Sequence, residues 1–180
     1  MMKKLGMTHC VASAFAALLL AAPAWAESVL DLTWSELIPQ GAPAAAPPPV
    51  VHDLSQLADT LSAESGPGMA QMSPAAPVVQ ALDGQAVKLP GYIVPLEVTE
   101  EGRVVEFLLV PYFGACIHVP PPPSNQIVHV RSELGVRLDA LYQPFWVEGP
   151  LKVEVSSSDL AEAGYSMNAD KIYAYESPEG

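Results

Sequence analysis

One thiol and two imidazoles stand close together in the stretch GACIHVPPPPSNQIVHV, from Gly114 to Val130. They belong to Cys116, His118 and His129, and four consecutive prolines, Pro120, Pro121, Pro122 and Pro123, separate the histidines. Thiolate sulfur and imidazole nitrogen suit Zn(II) first and copper second, and they do not suit the hard alkaline-earth ions. On an extended strand Cys116 and His118, two residues apart, share a face, so their donor atoms can converge on one ion. His129 sits between Val128 and Val130, a second strand-like alternation, and is the weaker third donor. Glu97, Glu106 and Asp139 are carboxylates that could complete the set, and their spacing favours none of them.

The same residues admit two other readings. A thiol beside a histidine describes a thiolate–imidazolium nucleophile, hence a thiol-dependent enzyme. The rest of the chain shows no recognisable partner for such chemistry, and it has no phosphate-binding glycine loop. Alternatively the proline run, with its fixed φ and stiff extended form, is a ridge for gripping a protein partner. Tyr112 and Phe113 before it, and Asn125 and Gln126 after it, would then complete the contact surface while Cys116 fills core.

The N-terminus sets the compartment. Lys3 and Lys4 precede an apolar run, Val11 to Ala22, and Ala24-Trp25-Ala26 reads as a cleavage site. Residues 1–26 are therefore expected to be a signal peptide, and the apolar run is short for a membrane span. Cys10 precedes that run rather than following it, so it is no lipid-attachment cysteine. Cleavage would remove two of the eight basic residues and none of the twenty acidic ones, taking the net charge from −12 to −14. Such acidity argues against nucleic acid and anionic lipid as partners. The mature protein is expected to be periplasmic and not an integral membrane protein. Cys116 is then its single cysteine, without an internal disulfide partner in an oxidising compartment.

These residues need elements to position them. Residues 27–80 are expected to be an N-terminal segment of linkers and short helical elements. Thr33 and Glu36 have capping-box spacing, and Trp34 is the apolar anchor that would dock the segment. Pro39 to Pro49 is a Pro/Ala-rich linker, and Leu54, Leu57 and Leu61 have the period of a short amphipathic helix. Residues 81–177 are expected to be a β-rich domain. QAVKLPGYIVPLEV, RVVEFLLVPYF, ACIHV, QIVHVRS, FWVEGPLKVEVSS and KIYAYES are strand candidates separated by Gly, Pro and acidic turns. Asp83-Gly84, Glu100 to Gly102 and Glu148-Gly149 read as turns, and Ser158 to Ala163 carries a weak helical signal. Gly91, Pro95 and Pro111 mark bends or bulges. The fold class is mainly β, a small antiparallel OB-like barrel, with a β-sandwich as the alternative. Tyr92, Phe107, Tyr112, Phe113, Phe145, Trp146, Tyr173 and Tyr175 fall on strand candidates, and most of them are expected to fill the core.

Taken together, TWSELIP, LDGQAVKLPGYIVPLE, EFLLVPYFGACIHVPPPPSNQIVHV, FWVEGPLKV and AGYSMNADKIYAYE resemble the DUF3299 family of bacterial exported proteins. The resemblance covers about Leu82 to Glu176 and the Trp34 element. It implies a periplasmic or anchored protein associated with ABC-type transport, in some cases zinc-linked, and it implies no reaction. The resulting expectation is an accessory protein that binds Zn(II) or copper through Cys116, His118 and His129 and serves a membrane transporter component.

Overall fold

A computed structural model describes residues 28–42, 70–116 and 119–176. The expected signal peptide, most of the expected Pro39 to Pro49 linker, the Leu54, Leu57 and Leu61 positions and His118 lie outside them. Among the described residues nine strands follow in order: β1 Leu30–Asp31, β2 Ala86–Val98, β3 Arg103–Val110, β4 Val128–Arg137, β5 Phe145–Lys152, β6 Ser156–Ser157, β7 Glu162–Ala163, β8 Tyr165–Asn168 and β9 Lys171–Ala174. Helical structure among the described residues is limited to 3-10 turns such as Trp34–Leu37. The protein is mainly β, as its alternating strand segments predict.

Five strands pair in a ring. β2 pairs with β3, β3 with β4, β4 with β8, β8 with β5, and β5 returns to β2. Every pairing in the ring is antiparallel except β4 with β8. The period of two then sorts the side chains. Val87, Leu89, Ile93, Phe107, Leu109, Val128, Val130, Phe145, Val147, Leu151, Tyr165 and Met167 make the main core. Alternate residues Val94, Leu108, Val110 and Ile127 face the other way into a second cluster, covered by Ala115, Ala161 and Ala163.

Two glycines stand where strands change partners. β2 pairs with β5 up to Gly91 and with β3 from Tyr92 onward. A Cβ on Gly91 would lie 2.7 Å from the carbonyl oxygen of Val110. The bend expected at Gly91 is therefore a close approach of backbones, which only glycine allows. β5 pairs with β9 through Glu148 and with β8 from Leu151, so Gly149 stands between the two partners. Glu148-Gly149 is thus strand interior rather than a turn, because β2 keeps pairing with β5 through Pro150. Asp83-Gly84 and Glu100 to Gly102 do turn, with Gly84 and Gly102 at positive φ. Pro95 is followed at once by a register shift, and Pro111 falls just beyond β3.

Ser158 to Ala163 is not helical. Ser156–Ser157 and Glu162–Ala163 pair as a small hairpin whose turn is held by the Ser158 hydroxyl accepting from the Ala161 N–H at 3.2 Å. A serine that hydrogen-bonds neighbouring backbone competes with helix formation, which explains the difference. The N-terminal element behaves as its sequence predicts. The Glu36 carboxylate accepts from the Thr33 N–H at 2.7 Å, and Trp34 Nε1–H donates to the Pro90 carbonyl at 2.6 Å, docking the turn on β2. Tyr173 is exposed instead of buried and donates to Glu148 at 2.6 Å.

Candidate functional site

The segment that carries Cys116 is a turn, not a strand. Ala115 and Val119 form an isolated bridge, the Cys116 N–H donates to the Val119 carbonyl at 3.1 Å, and the Val119 N–H donates to the Gly114 carbonyl at 3.2 Å. Cys116 itself has φ +66°, a left-handed conformation that β-branched and bulky residues avoid. The alternation that would place Cys116 and His118 on one strand face is therefore absent at Cys116. The preceding glycine, Gly114, is also at positive φ, so the chain reverses here before any strand can form.

Cys116 is half-buried against the second apolar cluster beside Tyr112. Burial pushes its thiol up to about 11, because desolvation penalises the thiolate. The Tyr112 phenol is raised by burial and then by the proximity of Cys116. Maleimide labelling of native Cys116 should be slow at neutral pH and accelerate about tenfold per pH unit, since only the thiolate reacts. A rate that levels off near the ordinary thiol value of about 8.5 would contradict this environment.

The proline run is interior. Pro121, Pro122 and Pro123 are buried, and Pro120 is half-buried. Residues 71–77 are strapped across them. The Met72 N–H donates to the Pro121 carbonyl at 3.3 Å, Gln71 Nε2–H to the Pro122 carbonyl at 2.9 Å, and the Ser124 N–H to the Ser73 carbonyl at 3.0 Å. Asn125 and Gln126 are buried too, donating to the Pro77 and Trp34 carbonyls, each at 2.7 Å. Proline lacks an N–H, so a proline run can be buried at low cost once its carbonyls find donors. These residues hold the N-terminal segments to the β domain rather than standing out as a ridge. Of the residues expected to grip a partner, Phe113 is exposed, at 62%. Its ring stands edge-on to Tyr92, with centroids 5.7 Å apart and planes at 71°.

His129 is a strand residue, as its valine neighbours predict, but it points away from the main core. Glu106 pairs across β3–β4 with Arg131 and lies diagonal to His129 on the same face. His129 is buried, 7% exposed, with Nε2 2.6 Å from Glu106 Oε1 and Nδ1 2.9 Å from Ser156 Oγ. Arg131 donates to the same carboxylate oxygen at 3.0 Å. Burial raises the Glu106 pKa, but hydrogen bonds from His129 and Arg131 outweigh it, so Glu106 is held below the usual carboxylate range. Both ring nitrogens of His129 are thus engaged. Among the described residues, which leave His118 out, no group of three His, Cys, Asp or Glu side chains is placed to hold a metal ion. Glu97 and Glu106 instead border an open acidic cleft, together with Arg131, Glu133, Asn168 and Asp170.

Sequence reading misses Ser156 as a partner of His129. The two are 27 residues apart, in strands that do not pair, so no local spacing reports them.

The model for DUF3299, a protein of unknown function, matches residues 34–174. The chain belongs to that family. The matched range takes in the Trp34 turn, the whole ring and the Cys116 loop, so this is the DUF3299 fold rather than an appendage to it. A DUF3299 family protein from Pseudomonas aeruginosa PAO1, known from a crystal structure, is 63% identical, covering 85% of this chain and 99% of that one with a TM-score of 0.73. None of the curated proteins matches the chain. Among the described residues of this DUF3299 protein, no helix is long and apolar enough to cross a membrane.

Proposed function

We propose that the protein is an exported accessory module, an OB-like β-barrel that docks on a protein partner through the aromatic corner of the Cys116 loop. The observation that carries this reading is the exposed Phe113, held edge-on against Tyr92. A large aromatic kept in water but fixed in orientation has already met much of the ordering cost of binding, and such residues serve as contact anchors. The ring order β2-β3-β4-β8-β5, with its single parallel pair, supports the OB-like description. The chain's net charge of −12 suits a basic partner surface. The family resemblance suggests that this partner is the periplasmic part of a membrane transporter. The periplasmic location rests on the leader sequence alone.

A second reading is Zn(II), or less favourably copper, held by Cys116 and His118 with His129 as third donor. What favours it is that Cys116 is half-open rather than sealed. What weighs against it is that His129 would have to release Glu106 or Ser156.

A photoreactive amino acid placed at Phe113 in cells should give one discrete crosslinked product containing a transporter subunit. The same residue placed at Leu134, 71% exposed in β4, on the stretch that pairs with the start of β3 and so far from Phe113, should not. Identical products from both positions, or none from Phe113, would overturn docking at this corner. If the product forms equally well with Cys116→Ser and His118→Ala, metal has no part in it.

A further inference from the structure

The chain Ser156–His129–Glu106 has a chemical direction that follows from its donors and acceptors. Arg131 donates to Glu106 Oε1 at 3.0 Å, a charged contact that favours the ionised carboxylate, and an ionised carboxylate can only accept. Nε2 of His129 must therefore carry the proton that it shares with Glu106 across 2.6 Å. When the imidazole is neutral, Nδ1 is then a bare acceptor, and the hydroxyl 2.9 Å away on Ser156 must be the donor. The tautomer is set by the carboxylate, not by the serine. A serine hydroxyl aimed at a histidine lone pair, with the opposite nitrogen oriented by a carboxylate, is the arrangement that activates a nucleophile.

Exposure is graded along the same chain. His129 is buried against β3 and β4, whereas Ser156, at the start of the β6–β7 hairpin, is partly exposed. The base is shielded from water and the nucleophile is not. Ser157 and Ser158 follow directly but do different work: Ser157 donates to Glu162, and Ser158 donates to the Ala161 carbonyl at 2.9 Å. Among these three consecutive serines, Ser156 is the one that meets a histidine.

We infer that Ser156, His129 and Glu106 form an acyl-transfer site, with Ser156 as nucleophile, His129 as general base and Glu106 as the positioning residue. Its substrate class is an ester. Ser156 Oγ bonds to the ester carbonyl carbon while its proton passes to His129 Nδ1. The ester C–O bond then breaks and His129 returns that proton to the departing alcohol. Water attacks the acyl-serine next, giving a proton to His129, and the serine–acyl bond breaks as His129 passes that proton to Ser156 Oγ, which releases the acid and restores the hydroxyl. Glu106 remains ionised throughout. Glu106 and Arg131 also line the open cleft, whose other charged walls are Glu97, Glu133 and Asp170. Ser156 and His129 are not among its lining residues, and the cleft meets the imidazole on the Glu106 side, so an ester long enough to reach past His129 would meet four carboxylates against one guanidinium, which favours a cationic remote part.

A fluorophosphonate probe and a pair of chromogenic esters, one neutral and one bearing a quaternary ammonium group, test this on the purified protein. The probe should attach to Ser156, located by peptide mass spectrometry, and spare Ser157 and Ser158, which serve as internal controls. The cationic ester should turn over faster than the neutral one. Ser156→Ala should abolish labelling and reduce turnover to the blank rate. Glu106→Gln can offer its amide N–H to Nε2 and so reverse the tautomer, and it should lower turnover by about a hundredfold or more. It should also displace the rising limb of the pH–rate profile, which a purely structural Glu106 would not do. Both substitutions are at partly exposed positions, and unchanged thermal unfolding will show that the fold survives. Labelling spread evenly over Ser156, Ser157 and Ser158, or turnover that survives Ser156→Ala, would overturn the assignment.

Discussion

Gly149→Ala should cost the fold about 3 kcal/mol, the upper end of what a single overpacked methyl group does to a core. The Gly149 side faces inward between Val147 and Leu151 of β5, both fully buried. A Cβ there would collide with the backbone carbonyl oxygen of Asn168, and it would lie 3.1 Å from Met167 Cγ. The thioether could swing aside, but the carbonyl cannot. It ends β8 next to the Arg131↔Asn168 pairing with β4, and the adjoining Ala169 N–H donates to the Arg131 carbonyl at 2.8 Å. Relief would require β5 and β8 to separate at Leu151↔Met167, which would open the ring between those two strands. Urea unfolding of Gly149→Ala beside Ser157→Ala, a substitution on the exposed hairpin, would measure the cost. A loss below about 1 kcal/mol would mean that the two strands do not approach as closely as described.

Tyr165→Phe should be nearly as damaging, although it removes one atom and leaves no cavity in the apolar packing. Tyr165 is fully buried in β8. Its hydroxyl oxygen accepts from the Val79 N–H at 2.7 Å, and its O–H donates to the Leu37 carbonyl at 2.8 Å. One oxygen thus satisfies two backbone groups from two N-terminal segments. Removing it strands a donor and an acceptor, each at about 1–3 kcal/mol, for a combined loss of about 3 kcal/mol. The released segments should report it directly, with faster amide exchange at Val79 and through Trp34–Leu37 than in the core of β4. Tyr142→Phe, on a side chain 74% exposed, should change stability by less than about 0.5 kcal/mol. Equal behaviour of the two variants would show that the Tyr165 hydroxyl ties nothing down.

The two substitutions mark different kinds of information in the chain. Gly91 is visible as an oddity in an apolar strand segment, and the expected bend is there. Gly149 follows a glutamate and reads locally as a turn. Its real role depends on β8, whose Asn168 comes 19 residues later. Ser158 to Ala163 misleads for a local reason instead, because the Ser158 hydroxyl bonds to the backbone of Ala161 and holds a hairpin turn in place of the expected helix. The capping spacing of Thr33 and Glu36, by contrast, spans one turn, and local chemistry settles it wherever the segment docks. Most of the described strands of the ring follow from period-two alternation, because a strand with one buried face must repeat every second residue.

Function-bearing geometry is the least local of all. Cys116 and His118 lie two apart and invite a strand-face chelate, yet two residues at positive φ, Gly114 and Cys116, reverse the chain there. The proline run invites an exposed ridge, yet carbonyl acceptors let residues 71–77 strap it into the interior. Glu106, His129 and Ser156 are scattered over three strands, and none of their spacings is periodic.

Amino-acid order by itself determines the acidic charge, the mainly β class and the DUF3299 membership, since each is written in composition, alternation or contiguous words. Which side chains meet from different strands was decided by the tertiary structure alone. Register places Glu106 diagonal to His129, and the β6–β7 hairpin then delivers Ser156 to the free nitrogen. A hydrogen bond depends on separations of a fraction of an ångström between residues that the chain itself keeps far apart.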